Sequence, residues 1–477
     1  MFDLRPQTLC ALTAALTMAG CAMTPTLQRP PLPVAAAFPA SAVSTASSAS
    51  SASAASATQA PELLWQDFFA DARLKRLITL ALAHNRDLRV AALNIEQTRA
   101  QYQIRRADQF PGINAVIGGS RLPTTSGGIT SAVNAGLAVT AYELDFFGRV
   151  SSLQEVALGQ YLATQEGALA ARISLIAAVA NSYFSLLADQ ELLALTQQTL
   201  ASREASQKLS QLRFDNGVVS EIDLRQAESL TQAARVAYSQ LQRQRALNEN
   251  ALTLLVGRSV ADELPGAGAT PRLQSVLLAD VPAGLPSDLL VSRPDIRQAE
   301  QLLVASNANI GAARAAFFPR IALTVGVGSA SKQLSGLFEA GSFGWTLAPQ
   351  LLLPIFDAGR NQAGLESAQA GQGIALAQYE KAIQTAFREV ADALAARSTF
   401  AEQLAAQTAQ ATAESKRLKL ADLRYQSGIT SYLDLLDAQR ASFASQQAVV
   451  QMRLSELQSQ VTLYKALGGG WKEAAKP

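Results

Sequence analysis

The chain has 477 residues, 49% apolar and 16% charged, with a formal net charge of +2, one histidine and two cysteines. A charge this close to neutral offers no basic surface for nucleic acid. His84, Cys10 and Cys21 are too few for a His/Cys metal cluster or a Ser–His or Cys–His couple, so an enzyme is the weakest reading and no cofactor is expected.

Residues 1–20 read as a signal peptide, with Arg5 as a thin positive region and an apolar run from Leu9 to Met18. Leu16-Thr17-Met18-Ala19-Gly20-Cys21 resembles a bacterial lipoprotein lipobox, which implies cleavage before Cys21 and a lipid anchor on it. Ala22 stands where lipoproteins retained in the inner membrane carry aspartate, which favours the outer membrane. Residues 21–62 are rich in Pro, Ala and Ser and read as a lipidated arm or tether that cannot bury a core.

From residue 63 onward the chain is written twice. Residues 87–119 recur at 295–327 with an offset of 208, and residues 145–257 recur at 356–468 with an offset of 211. This defines a first repeat at 63–257, a linker at 258–286, a second repeat at 287–468 and a C-terminal tail at 469–477. Each repeat is expected to hold a helix, a β-hairpin (113–144 and 321–354) and a long helical hairpin.

The first helix of each repeat, 72–109 and 287–317, stops at Phe110-Pro111 or Phe318-Pro319. The period then changes to two. Ile321, Leu323, Val325 and Val327 alternate with Ala322, Thr324, Gly326 and Gly328, giving one apolar and one small or polar strand face. Ile113–Ser120 and Asn134–Leu144 form the matching pair, with turn-rich loops at 122–131 and 329–343. Strands of about ten residues can cross a bilayer when tilted, whereas no uninterrupted run of 18 apolar residues offers a helical span. Four strands cannot close a barrel, so a membrane sheet has to be shared between chains.

All 18 prolines avoid residues 124–264 and 355–476, which protects long helices from a break costing about 3 kcal/mol. Gly217 and Gly428 suit helix C-caps. Ser220 with Asp223, and Ser431 with Asp434, suit capping boxes that open the next helix. The hairpins are therefore 151–214 into 220–257 and 362–425 into 431–467, with a long arm of about 96 Å in the first.

The doubled Phe-Pro break, the segment from Leu352 to Arg360, and Leu423-Arg424-Tyr425-Gln426-Ser427-Gly428 followed by Ser431 to Gln439 carry a resemblance over almost the whole mature chain. The chain is similar to the TolC-type outer membrane factors, within the lipoprotein (NodT-like) branch that serves RND multidrug efflux systems. That resemblance implies a mainly α fold with a transmembrane β-barrel: a homotrimer whose long antiparallel helical hairpins form an α-barrel and whose strands share a 12-stranded barrel. It implies a passive exit duct that works with a periplasmic membrane-fusion adaptor and an inner-membrane RND-type pump, sits in outer-membrane lipid, binds no nucleic acid and has no metal site. It implies a periplasmic gate at Leu433, Asp434 and Asp437, with Asp437 the stronger assignment because its repeat partner is Gln226. Adaptor contacts are expected at the tips, Arg213, Asn216, Gly217, Arg424, Ser427 and Gly428. The competing reading is a structural long-helix envelope lipoprotein without transport.

Overall fold

A computed structural model describes residues 23–27, 33–35, 38, 63–123, 125, 127–260, 272–280 and 292–469. The expected signal peptide, Cys21 and most of the tether and tail lie outside the described residues, as does much of the linker.

The helices repeat with the sequence. A short α1 (Trp65–Phe68) precedes α2 (Ala72–His84) and α3 (Arg86–Ala107). Then come β1 (Ile113–Pro123), β2 (Ile129–Leu144), α4 (Arg149–Asp215) and α5 (Glu221–Val256). The second repeat supplies α6 (Pro294–Ala315), β3 (Arg320–Ser331), β4 (Phe343–Leu352), α7 (Arg360–Gln426) and α8 (Tyr432–Ala466). Bounds of α3 and α6 are 208 apart, and those of α4 and α7 are 211 apart. At 67 residues, α4 and α7 are each about 100 Å long.

Two helix expectations need correction. The helix expected over 72–109 is broken at Asn85, which leaves the helical region at ψ 133° and caps α3 by accepting the Leu88 amide at 2.8 Å. The Asn85 side-chain amide donates to the Leu255 carbonyl at 2.9 Å, tying the break to the last turn of α5. The helix expected from 287 begins at Pro294, where proline suits the first helical position. Arg293, the repeat counterpart of Asn85, donates to the Ala466 carbonyl at 2.7 Å, and Ala466 is the counterpart of Leu255. Both repeats make the same tie with different chemistry. A third correction concerns membrane spans: α4 contains an 18-residue window apolar enough to cross a bilayer. Half of that window is buried inside the protein, and α4 carries the buried run Ile173, Ile176, Val179, Ala180, Tyr183, Phe184 and Leu187.

The chain falls into two compact units. One contains residues 93–166 and 297–382, with the arm residues 23–27, and so holds the sheet. The other contains residues 33–35, 38, 63–92, 167–260, 272–280, 292–296 and 383–469 among those described. In the latter, Phe68 stacks on Tyr464 with ring centroids 4.1 Å apart, and the Tyr464 hydroxyl donates to the Leu63 carbonyl at 2.8 Å. Ala279 donates to the Phe68 carbonyl at 3.0 Å, so residues 272–280 pack against the start of the first repeat.

The four strands form one antiparallel sheet in the order β1-β2-β3-β4. Pairing Ile113 with Val139, Val139 with Val325, and Val325 with Leu347 puts the odd-numbered residues of these segments on one face. That face runs from Ile113 and Ile117 through Leu137 and Val139 to Val325, Val327, Trp345 and Leu347. Its edge members are open to the surroundings: Ile117 is 83% and Trp345 73% exposed. The opposite face carries Asn114, Ser120, Asn134, Thr324, Thr346 and Gln350 among glycines and alanines. The strands extend further than sequence alternation suggests, so the loops shorten to 124–128 and 332–342.

The pairing also locates the three-residue shift between repeats. Ile113 pairs with a residue 26 positions on, whereas Ile321 pairs with one 30 positions on, so the second hairpin is four residues longer. One residue is recovered between the hairpin and the Gly-Arg pair, a stretch where β2 alone has a register irregularity at Ala141, whose φ is +51°.

Gly136, Gly328 and Gly344 align in register across β2, β3 and β4. A Cβ on Gly136 would stand 2.7 Å from the Gly328 Cα, so neither position has room for a side chain. We expect Gly328→Val to weaken the sheet by roughly 1–3 kcal/mol. The check is the temperature at which the detergent-purified protein loses its folded mobility on gels; an unchanged temperature would show that the close approach is dispensable.

Candidate functional site

The ends of both helical hairpins hold all the residues expected at the gate and the adaptor contact. Each turn is built by the same local rules. At the end of α4, Val218 N donates to the Arg213 carbonyl and Gly217 N to the Phe214 carbonyl, both at 2.8 Å, with Gly217 at φ +72°. At the end of α7, Ile429 N donates to the Arg424 carbonyl at 2.9 Å and Gly428 N to the Tyr425 carbonyl at 3.0 Å, with φ again +72°. This paired bonding closes a helix around a left-handed residue, and glycine adopts it without steric penalty. Asn216 and Ser427 use their side chains to cap the Leu212 and Leu423 carbonyls at 2.7 and 2.9 Å.

The following helices open as the sequence predicts. Ser220 with Asp223, and Ser431 with Asp434, form reciprocal capping boxes. Asp434 also accepts the Thr430 hydroxyl at 2.6 Å, and Arg424 lies close enough to act on it electrostatically. Asp434 is therefore occupied in holding the turn, whatever else it does.

The two hairpins meet through side chains that sequence reading did not pair. Arg213 donates to the Tyr425 hydroxyl at 2.7 Å, and its guanidinium lies 5.2 Å from that ring's centroid. Beside it, Ala227 and Leu230 of the first repeat pack with Tyr432, Leu435 and Leu436 of the second, flanked by Leu418, Ala421 and Tyr425. Burial holds the Tyr432 phenol above its usual range. Val218, Ile222, Ile429 and Leu433 stay well exposed at the same turns, Leu433 at 58%.

Asp437 forms an ion pair with Arg417, which also binds Glu414 at 3.2 Å. The pair joins α7 to α8 inside the second repeat. In the first repeat its members are replaced by Ser206 and Gln226, so the linkage has no counterpart there. Sequence comparison singled out Asp437 but not its partner. The signal was available, because Arg417 departs from its repeat counterpart just as Asp437 does. The Asp437 carboxylate is charge-balanced by the neighbouring Arg417 guanidinium.

Among the described residues no group of three or more His, Cys, Asp or Glu side chains could hold a metal ion.

These features can be set beside known proteins. Residues 77–258 and 285–469 match the family model described as outer membrane efflux protein. The probable efflux pump outer membrane protein TtgC of Pseudomonas putida is 48% identical over 467 residues, covering 96% of this chain and 94% of that protein. Outer membrane protein OprJ of Pseudomonas aeruginosa is 45% identical over 470 residues, covering 97% and 96%. The crystal structure of the open state of the Neisseria gonorrhoeae MtrE outer membrane channel superposes with a TM-score of 0.84 at 40% identity, covering 96% of this chain and all of that one. The chain belongs to the outer membrane efflux protein family. It is an outer-membrane channel of an efflux system, with the α-plus-β-barrel fold of TolC-type factors.

The Asp434 carboxyl is held below its usual range, first by the Thr430 hydroxyl and then by Ser431. Its contribution is complete above the unfolded value of about 3.9 and is lost as pH falls through the lowered folded value. Amide exchange in the first turn of α8 should therefore rise in strong acid. Ser431→Ala with Thr430→Val should raise it already at neutral pH and flatten the acid dependence; an identical acid profile in the double variant would refute the assignment.

Proposed function

We propose that three copies of this chain close one barrel and one periplasmic tunnel, and that the tips of the second-repeat hairpins form its gate. The observation that carries this reading is the four-stranded sheet with one apolar and one polar face and with β1 and β4 as unpaired edges. Lipid does not tolerate open edges, and closed barrels begin at about eight strands, so more than one chain is needed. Three chains, giving twelve strands, follow from the likeness to TolC-type factors. The apolar face then meets lipid and the small, polar face lines a water-filled lumen. The duct is passive and carries no cofactor or catalytic group.

The relative described as a probable efflux pump outer membrane protein supports partnership with a pump, and the likeness to TolC-type factors supports a periplasmic adaptor and an inner-membrane pump of RND type. The exposed turns 215–220 and 426–431 are the surface we assign to the adaptor. Arg424, Ser427, Gly428, Asn216 and Gly217 shape it, while Arg213 holds the two tips together through Tyr425. Lipid on Cys21 adds an anchor to the barrel itself.

At the gate, Arg417 and Asp437 keep α7 and α8 of the second repeat in register, with Leu433 exposed beside them. An exposed ion pair is weak and salt-sensitive, which suits a contact that partner binding has to release. Asp437→Ala and Arg417→Ala should each raise single-channel conductance several-fold in planar bilayers, and Asp437→Ala should also lower cation selectivity. Unchanged conductance in both variants would remove the gate from this position, and absence of any conductance from the purified trimer would remove the duct reading altogether. Arg424→Glu should weaken cross-linking to a co-expressed adaptor without altering conductance; equal cross-linking would move the docking surface elsewhere.

A further inference from the structure

The arm just beyond Cys21 is seated on the helices beside the sheet. Asn307 of α6, 6% exposed, donates its side-chain amide to the Pro25 carbonyl at 2.7 Å. Arg314 donates to the Met23 carbonyl at 3.3 Å, and the hydroxyls of Thr24 and Ser152 lie 3.3 Å apart. Gly311 forms the floor. A Cβ there would overlap the Thr24 hydroxyl and stand 2.7 Å from Ser152 Oγ and 3.0 Å from the Thr24 Cα. The arm and helix backbones approach this closely only because position 311 has no side chain.

The repeats make this arrangement informative. Each chain has two equivalent walls but one arm. Gly311 corresponds to Gln103, Asn307 to Arg99 and Ser152 to Ala363, while Arg314 keeps its counterpart Arg106. Three of the four seat residues thus differ from their counterparts. At the counterpart positions a long glutamine side chain replaces the floor glycine, and the amide and hydroxyl are missing. The departure from symmetry gives one seat for one arm.

The seat also has a definite level. Ser152 is the fourth residue of α4, soon after β2 ends at Leu144, and Arg314 is the penultimate residue of α6, shortly before β3 starts at Arg320. Residue 21 is two positions from Met23, a reach of at most about 7 Å. We propose that Gly311, Asn307, Ser152 and Arg314 form a positioning site for the lipid anchor. The site fixes Met23, Thr24 and Pro25 beside the helix-side ends of β2 and β3, so that acyl chains carried two residues upstream of Met23 would enter the leaflet at that end of the strands. The acyl part of this inference rests on the reading of Cys21 as a lipidated residue; the seat does not.

The test replaces Thr24 and Ser152 by cysteine in the full chain, exported to the oxidising cell envelope, both with Cys21 and with Cys21→Ser. Cys10 and Cys21 are the only other cysteines. A 24–152 disulfide is expected in both backgrounds and should be lost when Gly311→Gln, the first-repeat residue, is added. Mass spectrometry of the N-terminal peptide reports acylation separately. A disulfide beside an unmodified Cys21 would overturn the lipid reading and leave the seat standing. An acylated Cys21 without the disulfide, or cross-linking that survives Gly311→Gln, would overturn the seat. If the double-cysteine chain does not fold, Gly311→Gln alone should speed amide exchange at Thr24, Thr26 and Leu27, and unchanged exchange would overturn the seat equally.

Discussion

Every amide and carbonyl of a strand in lipid needs a hydrogen-bond partner, and this sheet runs out of partners at β1 and β4. Much of the remaining design answers to that constraint. One face is mainly apolar and the other mainly small and polar, a pattern that suits a sheet curving into a wall between lipid and water. Gly136 and Gly328 remove side chains where β2 and β3 approach too closely to hold them, as glycines do in a curving sheet. On the proposed reading, the chain satisfies its edges by assembling with other copies.

Duplication supplies the near-equivalent units such a wall needs. The repeats preserve geometry even where chemistry has changed: Asn85 to Leu255 and Arg293 to Ala466 are the same tie made by an amide in one case and a guanidinium in the other. Where the repeats diverge in geometry, the divergence has a local use. The Arg417–Asp437 pair exists only in the second repeat, and the seat for the arm only where α6 of the second repeat adjoins Ser152 of α4. The longer outer hairpin of the second repeat is a third difference, confined to a loop.

Much of this was legible in the residues because the signals are local. Capping boxes, glycine C-caps and the exclusion of proline placed the ends of the long helices within two residues of their observed positions. Alternation located the strands and their two faces. The break at Asn85 was missed because periodicity continues through it; an asparagine three residues before Leu88 was the available sign, but its partner carbonyl is 170 residues away. The late start of α6 was missed because the apolar pattern runs upstream of Pro294.

By itself, then, the sequence determined the elements, the duplication, the faces of the strands and the family resemblance, since each rests on spacing along a few turns or on motifs kept intact. Only the tertiary structure decided which repeats touch and through what. It paired Arg213 with Tyr425 and Asp437 with Arg417, and set Gly311 beneath Thr24. Such contacts join residues 20 to nearly 300 positions apart, and their geometry depends on how helices settle against one another, which no local period encodes.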